Sequence, residues 1–168
     1  MQFEALYSTY KNMVYNLALH YVQNIQDAEE ITQDVFLSVF NKIDTFKHQS
    51  DIKTWIYRIC INKSLDFIKA KNAKKRIPLL SFFAPNAIAI DNIPSELQHP
   101  GISLDKKEEL KLLFAAINQL NEKQKTCIIL LKIEQKTQSE TALIMNMSEK
   151  AVESLYQRAK EKLKTILT

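Results

Sequence analysis

The chain has 168 residues, of which 46% are hydrophobic and 25% charged, and its net charge is +4. This length fits one or two domains, and the apolar runs fall far short of the roughly 20 residues that a membrane-spanning helix needs. The single glycine and all four prolines lie between Pro78 and Gly101. Because helix breakers are absent elsewhere, we predict an all-α protein: two small helical domains joined by a proline-containing linker.

The charge is unevenly distributed, with +3 over residues 1–76, −2 over 77–104 and +3 over 105–168. Such a balance permits a nucleic-acid partner without requiring one. Cys60 and Cys127 stand in apolar helical patterns without a CxxC or a histidine at metal-ligand spacing, so we expect buried free thiols, no metal and no cofactor. The N-terminus lacks a signal-peptide pattern, which predicts a cytoplasmic protein without membrane insertion.

The first two helices are predicted over residues 3–22 and 25–42, with Asn24 as the N-cap of the second. The side of the second helix opposite its apolar row is acidic: Asp27, Glu30 and Asp34. Stabilisation of the helix dipole and solvation explain an acid in the first turn, but they do not explain Asp34. The other interpretation is a docking face for a basic partner, and the residues alone leave both open.

A third helix is predicted from about Asp51, with an apolar face and a polar strip at spacings of four and seven: Arg58, Asn62 and Lys69. Its end, residues 63–76, has six basic residues against one acid. A helix of this kind suits contact with nucleic acid, because lysines neutralise phosphates and aromatic rings stack on exposed bases. The alternatives are a core helix with a solvated lysine tail and, for Asn62, a buried polar contact between helices.

We predict an N-terminal domain over residues 1–72, a linker over 73–104 and a C-terminal four-helix domain over 105–168. Ser103 is a candidate cap for the first helix of the C-terminal domain, and Leu113 belongs to its expected apolar stripe. Two further helices begin at sequences with the form of a capping box, which are Asn121 to Gln124 and Thr137 to Glu140.

The last two helices have the pattern of a helix-turn-helix. Ala142 allows the helices to cross closely, Asn146 tolerates the positive φ of the turn, and Ser148 is placed to cap the final helix. An ordinary helical hairpin is the alternative. If the motif is present, the side chains that face the DNA groove are Glu149, Lys150, Glu153, Ser154, Gln157 and Arg158.

Three segments together resemble the extracytoplasmic-function group of bacterial RNA polymerase sigma factors. They are DAEEITQDVFLSVF (residues 27–40), IDTFKHQSDIKTWIYRICINKSLDFI (43–68) and MNMSEKAVESLYQRAKEKL (145–163). Their order across the proline-rich linker makes the resemblance specific, and it covers the chain nearly end to end. The last segment alone also fits other helix-turn-helix regulators.

The resemblance implies a role for each surface. The face that would bind the clamp helices of the polymerase largest subunit comprises Asp27, Glu30, Gln33 and Asp34. The residues expected at the −10 element, where one base is captured and melting starts, are Lys47, His48, Gln49, Ser50, Trp55, Arg58, Asn62 and Lys69. The groove-facing set of the last helix would recognise the −35 element. Implied partners are core RNA polymerase (also through the flap of its second-largest subunit), promoter DNA and an anti-sigma factor.

The chain departs from the family pattern in two places. The family usually has a glycine after the third helix of the second domain, where this chain has Glu134-Gln135-Lys136. Glu153 and Leu155 stand where basic residues are frequent, so the DNA sequence preference does not transfer. We expect a transcription initiation factor that is not an enzyme. A stand-alone helix-turn-helix regulator and a helical adaptor without a DNA role are the alternatives.

Overall fold

The computed structural model describes residues 2–76 and 103–168, which belong to two compact units. All regular elements in these residues are helical, as the predicted fold class requires. No helix within the described ranges is long and apolar enough to cross a membrane. Most of the predicted linker, residues 77–102, lies outside the described residues.

The N-terminal unit is a bundle of three helices, α1 (Phe3–Val22), α2 (Ile25–Lys42) and α3 (Ile52–Arg76), each packed on the other two. A 3-10 turn at Ile43–Thr45 follows α2. The N-cap of α2 is as predicted, because the Asn24 side chain accepts a hydrogen bond of 2.9 Å from the backbone N–H of residue 27. The core contains fully buried side chains from all three helices: Val14, Leu17, Ile31, Val35 and Ile56.

Helix α3 continues through Arg76, past residue 72, where the N-terminal domain is predicted to end. Residues 73–76 are alanine, lysine and arginine, which propagate a helix well. Phe40 is 60% exposed, and its ring packs edge-on against Phe3 with the centroids 5.3 Å apart.

The C-terminal unit contains α4 (Leu104–Ile117), α5 (Glu122–Ile128), α6 (Gln138–Met145) and α7 (Glu149–Leu167). A π-helical turn, Ile129–Ile133, continues α5. Both predicted capping boxes are present: each cap side chain accepts from the backbone N–H of the third helix residue, whose side chain accepts from the backbone N–H of the cap. Cys60 and Cys127 are free and buried, as expected.

The start of α4 differs from the prediction. Ser103 occupies the N-cap position with an extended backbone, but its side chain makes no capping hydrogen bond. Asp105 in the first turn supplies a favourable charge at the positive end of the helix dipole instead. Leu113, predicted in the buried stripe, is partly exposed, because it lies at the edge of the face on which Phe114 and Ile117 are buried.

The helix-turn-helix is formed by α6, the turn at residues 146–148, and α7. Asn146 has the predicted left-handed conformation (φ 53°), and the backbone N–H of Met147 donates to the Ala142 carbonyl at 2.9 Å. Ser148 caps α7 by accepting from the backbone N–H of residue 151 at 3.1 Å. Ala142 packs in one buried cluster with Cys127, Val152 and Leu155, so the close crossing is also as predicted.

Gln135 has a positive φ of 54°, and its side chain is exposed. A residue with a Cβ atom is disfavoured there by about 1–2 kcal/mol, whereas glycine is not. We therefore expect Gln135→Gly to raise the free energy of unfolding by about 1 kcal/mol in a denaturant titration, after the opposing gain in entropy of the unfolded chain is subtracted. Gln135→Ala keeps the Cβ atom and is the control. Equal stability of the two variants would show that the left-handed backbone is not strained.

Lys125 is a buried charge inside the C-terminal unit. Its side chain is 6% exposed, and its amine donates to the Asn118 side-chain carbonyl at 2.8 Å. Burial lowers the pKa of Lys125 from 10.5 to about 8, because the charged form loses hydration. Between these two pH values the unfolded chain binds more protons than the folded chain, so this residue makes the folded state more stable as the pH rises.

We predict that the stability of Lys125→Met relative to the native chain decreases as the pH rises from 8 towards 10. This difference in the free energy of unfolding changes by at most about 1.4 kcal/mol per pH unit. Burial raises the pKa of Cys127 to about 11, which opposes the trend above pH 9, but both proteins retain this thiol. Denaturant unfolding from pH 7 to pH 10 measures the difference. The exposed Lys123→Met is the control, and a pH-independent difference for Lys125→Met would contradict a buried charge.

Candidate functional site

The acidic face of α2 is exposed at three of its four predicted residues: Glu30, Gln33 and Asp34. Leu37 continues this face one turn further and is 60% exposed. Sequence reasoning missed Leu37, although its position three residues after Asp34 placed it on the polar side. The face therefore presents acids, an amide and one large apolar side chain together.

Asp27, the fourth predicted residue of this face, lies in a different environment. Its carboxylate forms an ion pair with the Lys71 amine, which comes from the last third of α3. The Asp27 side chain is 17% exposed and that of Lys71 is 46% exposed. Asp27 is thus at the edge of the acidic face, with its carboxylate engaged inside the unit.

The loop between the 3-10 turn and α3 is built on three aromatic rings. The Phe46 ring lies 4.7 Å from the ring of His48 and 4.9 Å from that of Trp55, centroid to centroid. His48 has a positive φ of 53°, a conformation that a residue with a side chain adopts only when its surroundings hold it. Of the predicted loop residues, Lys47, His48 and Gln49 are exposed.

Phe46 was not among the predicted site residues, although its sequence position beside Lys47 offered a signal. Its ring lies between those of His48 and Trp55 and anchors the loop on the start of α3. Ser50 and Trp55 are half-buried. The result is an exposed loop whose backbone is held in one shape and whose rings could stack on an unpaired base.

The polar strip of α3 faces solvent at Asn62 and Lys69, while Arg58 is half-buried. The exposure of Asn62 removes the alternative that its amide satisfies a buried polar contact between helices. Further along α3, Lys71, Lys74 and Lys75 are exposed and close to the negative end of the helix dipole. A solvated amide can accept hydrogen bonds from a base edge and donate to it, while amines further along the same helix neutralise phosphates.

The outer side of α7 is exposed at every predicted groove-facing residue: Glu149, Lys150, Glu153, Ser154, Gln157 and Arg158. The inner side of the helix is buried at Val152, Leu155 and Ala159. Because Leu155 is in the core, its apolar character is a packing requirement. The second helix of the motif is therefore free, within its unit, to enter a major groove.

The chain matches two family models. Residues 6–74 match Sigma-70 region 2, and residues 110–163 match Sigma-70, region 4. It is 29% identical to the ECF RNA polymerase sigma-E factor of Haemophilus influenzae, over 95% of this chain and 84% of that protein. It is also 28% identical to the ECF RNA polymerase sigma factor SigX of Bacillus subtilis, over 93% of this chain and 78% of that protein.

Two solved structures share the fold. The sigma factor RpoE of Bartonella quintana, in complex with the anti-sigma factor NepR, has a TM-score of 0.67 at 22% identity, covering 98% of this chain and 96% of that chain. CnrH, in complex with the cytosolic domain of CnrY, has a TM-score of 0.65 at 21% identity, covering 98% and 86%. At these identities the likeness concerns the fold.

Proposed function

We propose a separate function for each unit of this chain. The chain is an extracytoplasmic-function sigma factor of the sigma-70 family, which directs RNA polymerase to promoters. In this proposal the N-terminal unit holds the polymerase and opens the DNA, and the C-terminal unit recognises the upstream promoter element. The observation that carries it is the exposure, on one three-helix bundle, of an acidic face on α2 and of an aromatic loop followed by an exposed amide on α3.

Polymerase binding is assigned to α2. The exposed acids Glu30 and Asp34 would meet basic side chains of the clamp helices, and Gln33 would add hydrogen bonds. Leu37 supplies the apolar anchor that the centre of a protein interface usually needs. Asp27 would contribute only after release from Lys71. A second contact, between the C-terminal unit and the polymerase flap, is part of the same proposal.

Recognition and opening of the −10 element are assigned to the loop and to α3. A base that leaves the stack would lie against the His48 and Phe46 rings, with Lys47, Gln49 and Ser50 around it. Asn62 would contact a base edge where melting starts, while Arg58 and Lys69 hold the backbone. Base capture and phosphate contacts together offset the free energy needed to unstack and unpair the bases.

Recognition of the −35 element is assigned to the exposed side of α7. Lys150 and Arg158 would contact phosphates or guanine, and Gln157 can bind adenine through both the oxygen and the NH2 group of its side-chain amide. Glu149 and Glu153 can accept hydrogen bonds from the amino group of cytosine, so acidic side chains can also contribute to base recognition in the major groove. Each unit has a modest positive charge, so we infer that polymerase supplies much of the affinity for DNA.

The proposed activity is one of binding and positioning without catalysis, in the cytoplasm. We also propose regulation by an inhibitory partner, because RpoE was solved in complex with an anti-sigma factor and CnrH in complex with the cytosolic domain of another protein, CnrY. Such a partner would compete with polymerase for the surfaces assigned above.

Transcription from a random promoter library by core polymerase with and without the chain tests the proposal. We expect the chain to select templates that share two short elements at a fixed spacing, with no transcription from them by core polymerase alone. The alternative, a stand-alone helix-turn-helix regulator, predicts instead tight binding to palindromic operators without polymerase. That second result, with no polymerase-dependent selection, would overturn the proposed function.

A further inference from the structure

The ion pair between Asp27 and Lys71 joins two surfaces that the proposed function uses separately. Asp27 stands in the first turn of α2, at the edge of the acidic polymerase face. Lys71 stands within the basic end of α3, on a different side of that helix from Lys69, since residues two apart do not share a helix face. The pair therefore connects residues 44 positions apart in the sequence, one in the proposed polymerase face and one in the basic end of the helix assigned to DNA.

Each charge of the pair has two possible partners. While the Lys71 amine neutralises the Asp27 carboxylate, it adds less positive charge to the DNA face. While the carboxylate is engaged by Lys71, it is not available to a basic side chain of the polymerase. The amine also lies 6.0 Å from the centroid of the Phe67 ring, which keeps it near α3 when it is not bound to DNA.

We propose that this pair is an autoinhibitory contact that couples polymerase binding to DNA binding by exchange of partners. In the free chain it lowers the affinity for both. When polymerase engages Asp27, Lys71 is released to the phosphate backbone, and DNA bound at Lys71 releases Asp27 for polymerase. Because linkage is reciprocal, each ligand raises the affinity for the other by the same factor. The proposal rests on the assignment of α2 to polymerase and of α3 to DNA.

The size of the effect follows from the exposure of the pair. Ion pairs with a partly exposed partner such as Lys71 are weak, so breaking this one changes an affinity by up to about fivefold. Because the ion pair is weak, the binding of polymerase can break it at a small cost in free energy. It also means that the effect is best measured at low salt, where screening is small.

The first test uses the free full-length chain and a fluorescent oligothymidine at low salt. Asp27→Asn keeps the shape of the side chain and removes its charge, and we expect it to tighten DNA binding by up to about fivefold. In the Lys71→Met background the same substitution should have no effect, because the released amine is absent. This double-mutant cycle separates the pair from general repulsion between Asp27 and DNA.

The second test measures the affinity of the same chains for core polymerase without DNA. Lys71→Met should raise this affinity by up to about fivefold, because the Asp27 carboxylate is then free. Lys74→Met is the matched control: it removes the same charge from an exposed residue one turn further along α3, and it should leave polymerase binding unchanged.

The outcomes distinguish the contact from the function on which it rests. If Asp27→Asn leaves DNA binding unchanged, or tightens it equally in the Lys71→Met background, the autoinhibitory contact is overturned. Weaker DNA binding by Lys71→Met in both backgrounds would then still support the DNA face of α3. If Lys71→Met alters neither DNA binding nor polymerase binding in any background, the contact and the assigned DNA face both fail.

Discussion

Reversal of Glu30 and Asp34 to lysine is expected to abolish the binding of the chain to core RNA polymerase. Both side chains are exposed on one face of α2, beyond the first turn, so their charge contributes little to the helix itself. Each new lysine would face a basic side chain of the polymerase. Two such like-charge pairs at an interface cost several kcal/mol, which corresponds to a loss of affinity of more than about 100-fold. Native gel shift or fluorescence titration with core polymerase measures the loss.

The control for this experiment carries the same change of net charge elsewhere on the unit. Glu4 and Asp44 are also exposed, and Glu4→Lys combined with Asp44→Lys should leave polymerase binding close to that of the native chain. Circular dichroism should show the same helicity for all three proteins. Unchanged polymerase binding by the Glu30 and Asp34 double variant would refute the assignment of α2.

Much of this structure follows from local signals. The bounds of α1 and α2, the caps at Asn24 and Ser148, and the left-handed Asn146 depend on residues within one or two turns of each other. Such signals are carried by hydrogen-bonding side chains and by helical periodicity, which the sequence shows directly. The exposure of the residues chosen on α7 follows in the same way, because its buried face is clearly apolar.

Contacts between distant residues could not be predicted in this way. Periodicity placed Asp27 and Lys71 on the polar sides of their helices but gave no indication that the two side chains meet. The stacking of Phe46 between His48 and Trp55 likewise depends on how the loop folds back onto α3. Phe46 was therefore missed as a site residue, although it holds the loop in place.

Two backbone conformations of the C-terminal unit could not be predicted from the sequence either. The residue that replaces the usual family glycine was recognised as a departure, but its positive φ and the π-helical turn before it became visible only in the structure. The apolar pattern around Cys127 predicted a buried thiol, yet it did not reveal that Lys125 is buried two residues earlier. Because lysine is rarely buried, the sequence favoured an exposed position for the Lys125 side chain.

Substitution of Asn62 by alanine is expected to impair promoter opening much more than polymerase binding. The side chain is exposed, so the thermal stability of the chain should not change. Loss of one base-specific contact costs about 1–3 kcal/mol, which corresponds to a decrease of about 5- to 150-fold in open-complex formation. Permanganate reactivity of unpaired thymines on a duplex promoter measures the opening.

Two other variants of α3 sharpen this prediction. Asn72→Ala makes the same change on an exposed residue ten positions further along the helix, which has no assigned contact with the −10 element, and should leave opening intact. Lys69→Met removes a phosphate contact, so it should weaken binding to every promoter alike and flatten the salt dependence. Equal defects in Asn62→Ala and Asn72→Ala would mean that the strip has no special role.

The most direct test of the account is transcription by polymerase with the Asn62→Ala chain on two templates, one fully duplex and one with a pre-melted bubble at the −10 element. If α2 binds polymerase and α3 opens the strands, the Asn62→Ala chain should show a strong defect on the duplex template and near-native transcription from the bubble. An equal defect on both templates, with normal polymerase binding, would contradict the assignment of strand opening to this helix.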